Sequence, residues 1–416
     1  MTDTTADTAT GASAYAAAHQ DRTAARGLWV KTIAQRIKIM QDEGNNMVIV
    51  VSAMGDTTDE LIELARATGG ELSGREMDML LATGEQQSAA LLAMTLNNAG
   101  CDAISLTGWQ AGIVSDSTYR KAKISDIDTN RIQTELDKGK IVIIAGFQGI
   151  TPGGDITTLG RGGSDTSAVA IAVGIKADRC QIYSDVDGVF TADPRMVSDA
   201  RKLQFISYEE MLEMAILGAM IMQPRAVECA MLNNMDVEVL NSFNDNPGTI
   251  ITEERNMEQD RVVSGVAHDL NCAKIAIFDV PDQPGIARTL FKALAENGIN
   301  VDMVIQSAMR NNHNDIAFTI GRDELTKALP VVEELVKKIG ASDYSYGDNV
   351  AKVSIIGAGM QSNPGVAADM FEALADEEIN IDMISTSEIR VSCIINEDQT
   401  QKAVIALHKK FDLDRS

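Results

Sequence analysis

The second half of the chain is written twice. Asp282-Gln283-Pro284-Gly285-Ile286-Ala287 returns as Ser362-Asn363-Pro364-Gly365-Val366-Ala367. Gly298-Ile299-Asn300-Val301-Asp302-Met303-Val304 returns as Glu378-Ile379-Asn380-Ile381-Asp382-Met383-Ile384. The offset is 80 residues in both cases, the size of a small folding unit. Within copy one, AKIAIFDV, INVDMVIQ and DIAFTI are β-branched runs, and PGIARTLFKALAENG has helical periodicity behind a Pro-Gly opening. Copy two repeats this with AKVSIIGA, PGVAADMFEALADEE, INIDMIST and RVSCII. The pattern predicts two ferredoxin-like βαββαβ units that pair their sheets and place ligand clefts at the shared edge. A duplicated structural module that only forms a dimer is the alternative.

The first half reads differently. A chain of 416 residues exceeds one hydrophobic core, so two or three domains are expected. Residues 1–27 are polar and Ala-rich, without the cationic start or apolar core of a secretory signal, and read as a flexible tail. A helix over Lys31–Asp42 leads through Gly44-Asn45-Asn46 to a buried strand at Met47–Val51. SAMGDTTDELIELA then opens a second helix. Further buried strands are predicted at Ile141–Ala145 and Asp178–Tyr183. Strands alternating with helices predict an α/β domain with a mostly parallel sheet and functional loops at the strand ends. The expected division is 28–255 for this domain, then 265–341 and 345–416 for the two repeats.

Charge narrows the partners. With 60 acidic and 36 basic residues the net charge is -24, which repels nucleic acid and anionic membranes. An anionic ligand therefore needs a local basic or amide-lined pocket. No apolar run has the length to cross a bilayer. The five cysteines are scattered, odd in number and without a CxxC pair, which fits a reduced cytoplasm. The four histidines are scattered too, and no metal site is suggested.

The pocket is predicted at GRGGSDTSAVAIA, residues 160–172. Glycines let backbone approach a ligand, and N–H groups at a following helix start hold an anion. Arg161 adds a planar fork for a carboxylate or phosphate, and Asp165 a negative charge beside it. A plain Gly-rich turn is the alternative.

At this point the chain resembles the aspartate kinases of the amino acid kinase family, most closely the bacterial lysine- and threonine-regulated type. The stretches that carry the likeness are VVSAMGDTTDEL (50–61), REMDMLLATGEQQS (75–88), SLTGWQAGI (105–113), IVIIAGFQGI (141–150), DITTLGRGGSDTSAVAIA (155–172), YSDVDGVFTADPR (183–195) and ISYEEMLEMAILGA (206–219). The double repeat resembles paired ACT domains. The resemblance implies a three-layer α/β/α amino acid kinase fold followed by two ACT domains. It implies transfer of a phosphoryl group from ATP, with Mg²⁺, to the side-chain carboxylate of L-aspartate in the cytoplasm, as the first step toward lysine, threonine and methionine.

Residue roles follow from the same likeness. Arg161 would grip the α-carboxylate of aspartate, with Gly162, Gly163 and Ser164 beside it. Glu85 would meet the substrate ammonium or its surrounding network, and Thr58 would contact substrate. Asp165 would be the catalytic aspartate that organises the phosphate-binding groups. Ser184, Asp185, Asp187, Gly188, Val189 and Arg195 would line the nucleotide pocket. Asp282, Gly285, Asn300, Asp302, Met303 and Gln306 in copy one would hold an amino acid effector, lysine or threonine. Asn380, Asp382, Ile384 and Thr386 are the matching set in copy two. The repeats would also join chains into a homo-oligomer.

Two parts of the family pattern have no counterpart. The opening K-[FY]-G-G-[ST]-S segment is missing, and Met220 occupies the lysine position of Gly218-Ala219-Met220-Ile221-Met222-Gln223-Pro224. An altered start, a weakly active paralogue serving as an amino-acid-sensing regulatory subunit, and a partner kinase subunit all stay open. A kinase of the same fold acting on glutamate or carbamate is a further alternative.

Overall fold

The computed structural model describes residues 27–70, 72–218, 221–253 and 262–415. The expected tail, up to residue 26, and Met220 fall outside the described residues. From its N-terminal side the chain runs α1 (27–42), β1 (Val48–Val51), α2 (Thr57–Ala67), α3 (Gly74–Leu81), α4 (Thr83–Asn98) and β2 (Ala103–Leu106). It continues through β3 (Ile113–Ser115), β4 (Ile124–Ile127), α5 (Asn130–Leu136), β5 (Ile141–Ala145), β6 (Gln148–Ile150), β7 (Ile156–Thr158), α6 (Gly163–Ile175) and β8 (Cys180–Ser184). Next come β9 (Phe205–Ser207), α7 (Tyr208–Ile216), α8 (Pro224–Leu232), β10 (Val237–Asn241) and β11 (Thr249–Thr252). The repeats supply β12 (Gly265–Pro281), α9 (Ile286–Glu296), β13 (Val301–Gln306), β14 (His313–Ile320), α10 (Leu325–Ile339) and β15 (Asp343–Ile356). The last elements are α11 (Val366–Asp376), β16 (Met383–Thr386), β17 (Arg390–Asn396) and α12 (Thr400–Lys410). Two compact units result: Met1–Ile182 with Arg225–Val237, and Tyr183–Pro224 with Glu238–Ser416.

The first unit is built around β5. Its sequence IVIIA is buried throughout, as expected of a strand covered on both faces. It pairs in parallel with β1 (Val48↔Val142) and with β2 (Ala103↔Ile141). Alternate residues point to opposite faces. Ile141, Ile143 and Ala145 pack with Val30, Ala34 and Ile37 of α1 and with Ala89, Leu92 and Leu96 of α4. Val142 and Ile144 pack with Ile132 of α5 and Ile171 of α6. Those are the three layers. A smaller mixed sheet, β4-β3-β6-β7, brings β7 and its following loop beside α3.

A four-stranded sheet runs β8-β10-β11-β9, and the second unit holds a six-stranded sheet, β13-β14-β12-β15-β17-β16. The six-stranded sheet is how the duplication merges. β12 is 17 residues long and β15 is 14, and each serves both copies. Ala273–Ile277 of β12 pairs with β14 of copy one, while Gly265–Asp269 pairs with Ile356–Lys352 of copy two. The strand segment that borders copy two thus comes from the opening residues of copy one. The copies also exchange ion pairs. Lys274 of copy one binds Asp382 of copy two, and Lys352 of copy two binds Asp302 of copy one at 2.5 Å.

Copy one closes over Phe318, which is fully buried and meets Phe291 edge-on at 5.8 Å. Phe318→Ala is expected to destabilise this module by about 3–5 kcal/mol, read as a lower denaturant midpoint. No helix among the described residues is long and apolar enough to cross a membrane.

Candidate functional site

The first unit carries the residues expected to meet an amino acid, near the carboxyl ends of two neighbouring parallel strands. β1 and β5 end in register at Val51↔Ala145, and the Gly146 N–H donates to the Val51 carbonyl at 3.0 Å. Ligands of open α/β sheets gather at such strand ends. After β5 the chain passes through Phe147 at φ 67, a left-handed conformation that is uncommon for a bulky residue. This turn lays Gly146 and Phe147 against the start of α6. A Cβ on Gly163 would stand 2.8 Å from Leu159 Cβ and 2.9 Å from Phe147 Cδ2, so only glycine fits there. Gly162 caps α6 in the left-handed region at φ 63.

At the start of α6 the Gly163 N–H donates to the Gly160 carbonyl at 3.0 Å, and the N–H groups of Ser164 and Asp165 follow in the first turn, where a helix start favours an anion. Ser164 and Asp165 lie in its first turn, half-buried. Arg161 precedes the helix, exposed and without a carboxylate partner among the described residues. The charge of Asp165 is felt nearby. Burial first, then Cys229 and Asp165, push the Cys180 thiol up to about 12.

Glu85 enters from the first turn of α4 and is only 4% exposed. The Ala53 N–H, just past β1, donates to Glu85 Oε1 at 3.1 Å. Glu85 Oε2 is buried with no hydrogen-bond partner among the described residues. Burial pushes the Glu85 carboxyl up to about 7, against the opposing pull of backbone N–H groups including that of Ala53. Gly84 makes the approach possible, since its Cβ position lies 3.0 Å from Ala53 Cβ. Thr58, half-buried, is the second residue of α2.

The second unit carries the expected nucleotide residues. Ser184 Oγ donates to Asp185 Oδ1 at 3.1 Å. The Asp187 carboxylate is held low first by the Asn244 side chain, with Asn241 also donating to it. Gly188 sits at φ 139 with Thr249 Oγ1 2.5 Å from its Cβ position, and the Val189 N–H donates to that same hydroxyl at 2.9 Å. Arg195 is 89% exposed and forks onto Asp193, with Nη2 to Oδ2 at 2.7 Å. Ala192 and Val197 of this segment pack into the core of copy two, and Thr191 Oγ1 lies 2.9 Å from His408 Nε2 of α12. Asn241, Asn244 and Thr249 are partners that the sequence reading missed. The Asn-rich run NSFNDN (241–246) was the available signal, because asparagines that bond backbone and carboxylate mark structured loops.

The expected effector residues fall at matching places in the two copies. Gly285 caps α9 at φ 100, and Gly365 caps α11 at φ 107. The Asp282 N–H donates to the Asn312 carbonyl at 2.8 Å, and the Asn300 N–H donates to Glu324 Oε2 at 3.2 Å. Asp302 and Asp382 are engaged by the exchanged lysines. Met303 is buried with Cys272, Val350, Met383 and Ile394. Gln306, Asn380, Ile384 and Thr386 are exposed.

Known proteins agree with this architecture. Residues 11–241 match the amino acid kinase family, and residues 279–335 and 353–411 each match the ACT domain. An aspartokinase of Bacillus sp. (strain MGA3) is 50% identical over 387 residues, covering 93% of this chain and 94% of its own length. An aspartokinase of Mycolicibacterium smegmatis is 49% identical over 390 residues, 92% of each. Aspartate kinase from Synechocystis is 42% identical, with a TM-score of 0.50 over 92% of this chain and 67% of that one. E. coli aspartokinase III in complex with aspartate and ADP shares the fold, at a TM-score of 0.73 and 24% identity over 85% of this chain and 80% of that one. On the strength of near-half identity across nearly the whole length of these relatives, the chain belongs to the aspartokinases, amino acid kinase family proteins that carry paired ACT domains.

Proposed function

We infer that the chain transfers the γ-phosphoryl group of ATP to the side-chain carboxylate of L-aspartate, giving 4-phospho-L-aspartate and ADP. The observation that carries this reading is a matched pair in one unit. An exposed guanidinium stands beside the glycine-built start of α6, and a buried carboxylate keeps one oxygen without a hydrogen-bond partner among the described residues. An α-amino acid offers the carboxylate and the ammonium that such a pair lacks. Arg161 would bind the first and Glu85 the second, which leaves the side-chain carboxylate as nucleophile. One of its oxygens forms the new P–O bond while the bond to the β,γ-bridging oxygen breaks, and the electron pair leaves with ADP. The nucleophile is already ionised, so positioning and charge stabilisation carry the step.

The chain's own groups fit a nucleotide with Mg²⁺ on its phosphates. Within the first unit the α6 start would offer N–H donors, and Asp165 is a hard oxygen donor of the kind that supplements phosphate oxygens around Mg²⁺. The ion supplies charge neutralisation to the transferring oxygens. Lysine or threonine would bind at the Asp282–Gly285 and Asn300 loops and their counterparts in copy two. Pairing of the ACT domains between chains would make a cytoplasmic homo-oligomer.

The test is ADP release by the full chain. Release that requires both L-aspartate and Mg²⁺, with phosphoaspartate trapped as its hydroxamate, is the expected result. A folded preparation that releases ADP equally without aspartate, or none at all, would overturn the reading.

A further inference from the structure

We propose that Asp78 and Arg225 are positioning residues for the aspartate-binding loop: together they lock the backbone of Thr158 and Leu159, immediately ahead of Gly160 and Arg161. The inference rests on the proposed aspartate kinase reading and concerns residues to which that reading gives no role.

Asp78 belongs to α3 and is 0% exposed. A carboxylate taken that far from water is costly unless every lone pair is used. Here both oxygens are used, and no cation takes part among the described residues. The Arg120 N–H donates at 2.9 Å to Oδ2 and 3.1 Å to Oδ1. The Thr158 N–H donates to Oδ2 at 2.9 Å, and Thr158 Oγ1 donates to Oδ1 at 2.8 Å. One helix residue thus binds two segments that lie 42 and 80 positions away in sequence.

Arg225, at the start of α8, closes the same assembly from its other side. Its Nη1 donates to the Leu159 carbonyl at 2.8 Å and its Nη2 to the Ala122 carbonyl at 2.9 Å. The Ala122 N–H donates to the Thr158 carbonyl at 3.0 Å, and the Leu159 N–H to the Phe147 carbonyl at 2.8 Å. Both N–H groups and both carbonyls of Thr158 and Leu159 are therefore engaged. The next residue is pressed equally close, since a Cβ on Gly160 would stand 2.9 Å from the Arg120 carbonyl oxygen. Arg75, one turn earlier in α3, adds an outer tie to Asp155 at 2.8 Å.

A buried ionic group gives little stability that apolar packing would not give, so its use here is better explained by geometry. An exposed arginine side chain has many rotamers open to it. Fixing the backbone that leads into it lowers the entropy lost when it meets a carboxylate. A displacement of about 1 Å at such a residue costs up to roughly 10² in rate.

The experiment is steady-state kinetics on the full chain carrying Asp78→Asn, Arg225→Met or Thr158→Val, with aspartate and ATP varied in turn. For the first two, the aspartate KM is expected to rise by roughly tenfold to 10²-fold. Thr158→Val removes one hydroxyl donor and leaves the buried carboxylate in place, so a rise of about threefold to tenfold is expected from the loss of one hydrogen bond to a charge. The ATP KM, and the affinity for a fluorescent ATP analogue, should stay within about threefold, a selectivity that general loss of fold would erase. Equal changes in both KM values, or no change for aspartate, would overturn the proposal. If Asp78→Asn fails to fold, Thr158→Val and Arg225→Met decide it alone. An unsubstituted chain that neither binds nor turns over aspartate would overturn the functional reading and this inference together, whereas an active chain whose variants are unmoved would overturn this inference only.

Discussion

Arg161→Ala is expected to lower kcat/KM for aspartate by roughly 10²–10⁴ while leaving the fold intact. The size follows from what the guanidinium offers. Hydrogen bonds to a charged group are worth about 1.5–3 kcal/mol each, and a fork onto a carboxylate makes two. A factor of ten corresponds to about 1.4 kcal/mol, so the pair spans the stated range. Stability should hardly move, because Arg161 is exposed and no carboxylate among the described residues depends on it. Arg161→Lys keeps the charge but loses the planar fork, and it should recover only part of the loss. The measurement is kcat/KM for aspartate at saturating ATP beside a thermal melt. Unchanged kinetics would remove Arg161 from the substrate site, and a collapsed melting temperature would recast it as structural.

What the sequence disclosed and what it hid divide by range. Strand β5 was read with its observed ends because five buried apolar residues form an unbroken run. The repeats were legible because a duplication repeats its turns, and both Pro-Gly pairs do cap helices. The glycine opening of α6 was legible because Gly162 and Gly163 tolerate what other residues do not. Asp78 was quoted only as a letter of REMD, since its partners Arg120 and Thr158 are brought to it by folding. Asn241 and Asn244 were missed for the same reason, because they become partners of Asp187 only once β10 is in place. The shared strands β12 and β15 were hidden differently. Each copy by itself implies a complete unit, and nothing local says that Gly265–Asp269 serves the distant copy. The reciprocal pairs Lys274–Asp382 and Lys352–Asp302 follow from that same merging of sheets.

Glu85 should make aspartate usage depend on pH in a form that Glu85→Gln removes. In the free protein burial holds the Glu85 carboxyl at about 7, against an ordinary value of 4.5. Binding an ammonium requires the ionised form. Below pH 7 a growing share of free protein carries the proton, and kcat/KM for aspartate should fall by about tenfold per pH unit. The substrate ammonium keeps its own charge across this range, so the acid limb belongs to the protein or to the nucleotide phosphates. Glu85→Gln separates these. Any titration of the nucleotide persists in the variant, whereas the contribution of Glu85 vanishes. The same substitution should lower the plateau by roughly 10², because a buried charge loses its partner when the ammonium arrives. Stability gives an independent readout with the opposite sign to the usual carboxylate. A raised folded-state value means that the contribution of Glu85 is fully present below its unfolded value of 4.5 and is lost as pH rises through about 7. The unsubstituted chain should therefore melt progressively earlier across that window relative to Glu85→Gln, and added aspartate should restore the difference by neutralising the buried charge. A Gln variant with the same acid limb and the same melting profile as the unsubstituted chain would show that Glu85 neither titrates in this range nor receives the substrate ammonium.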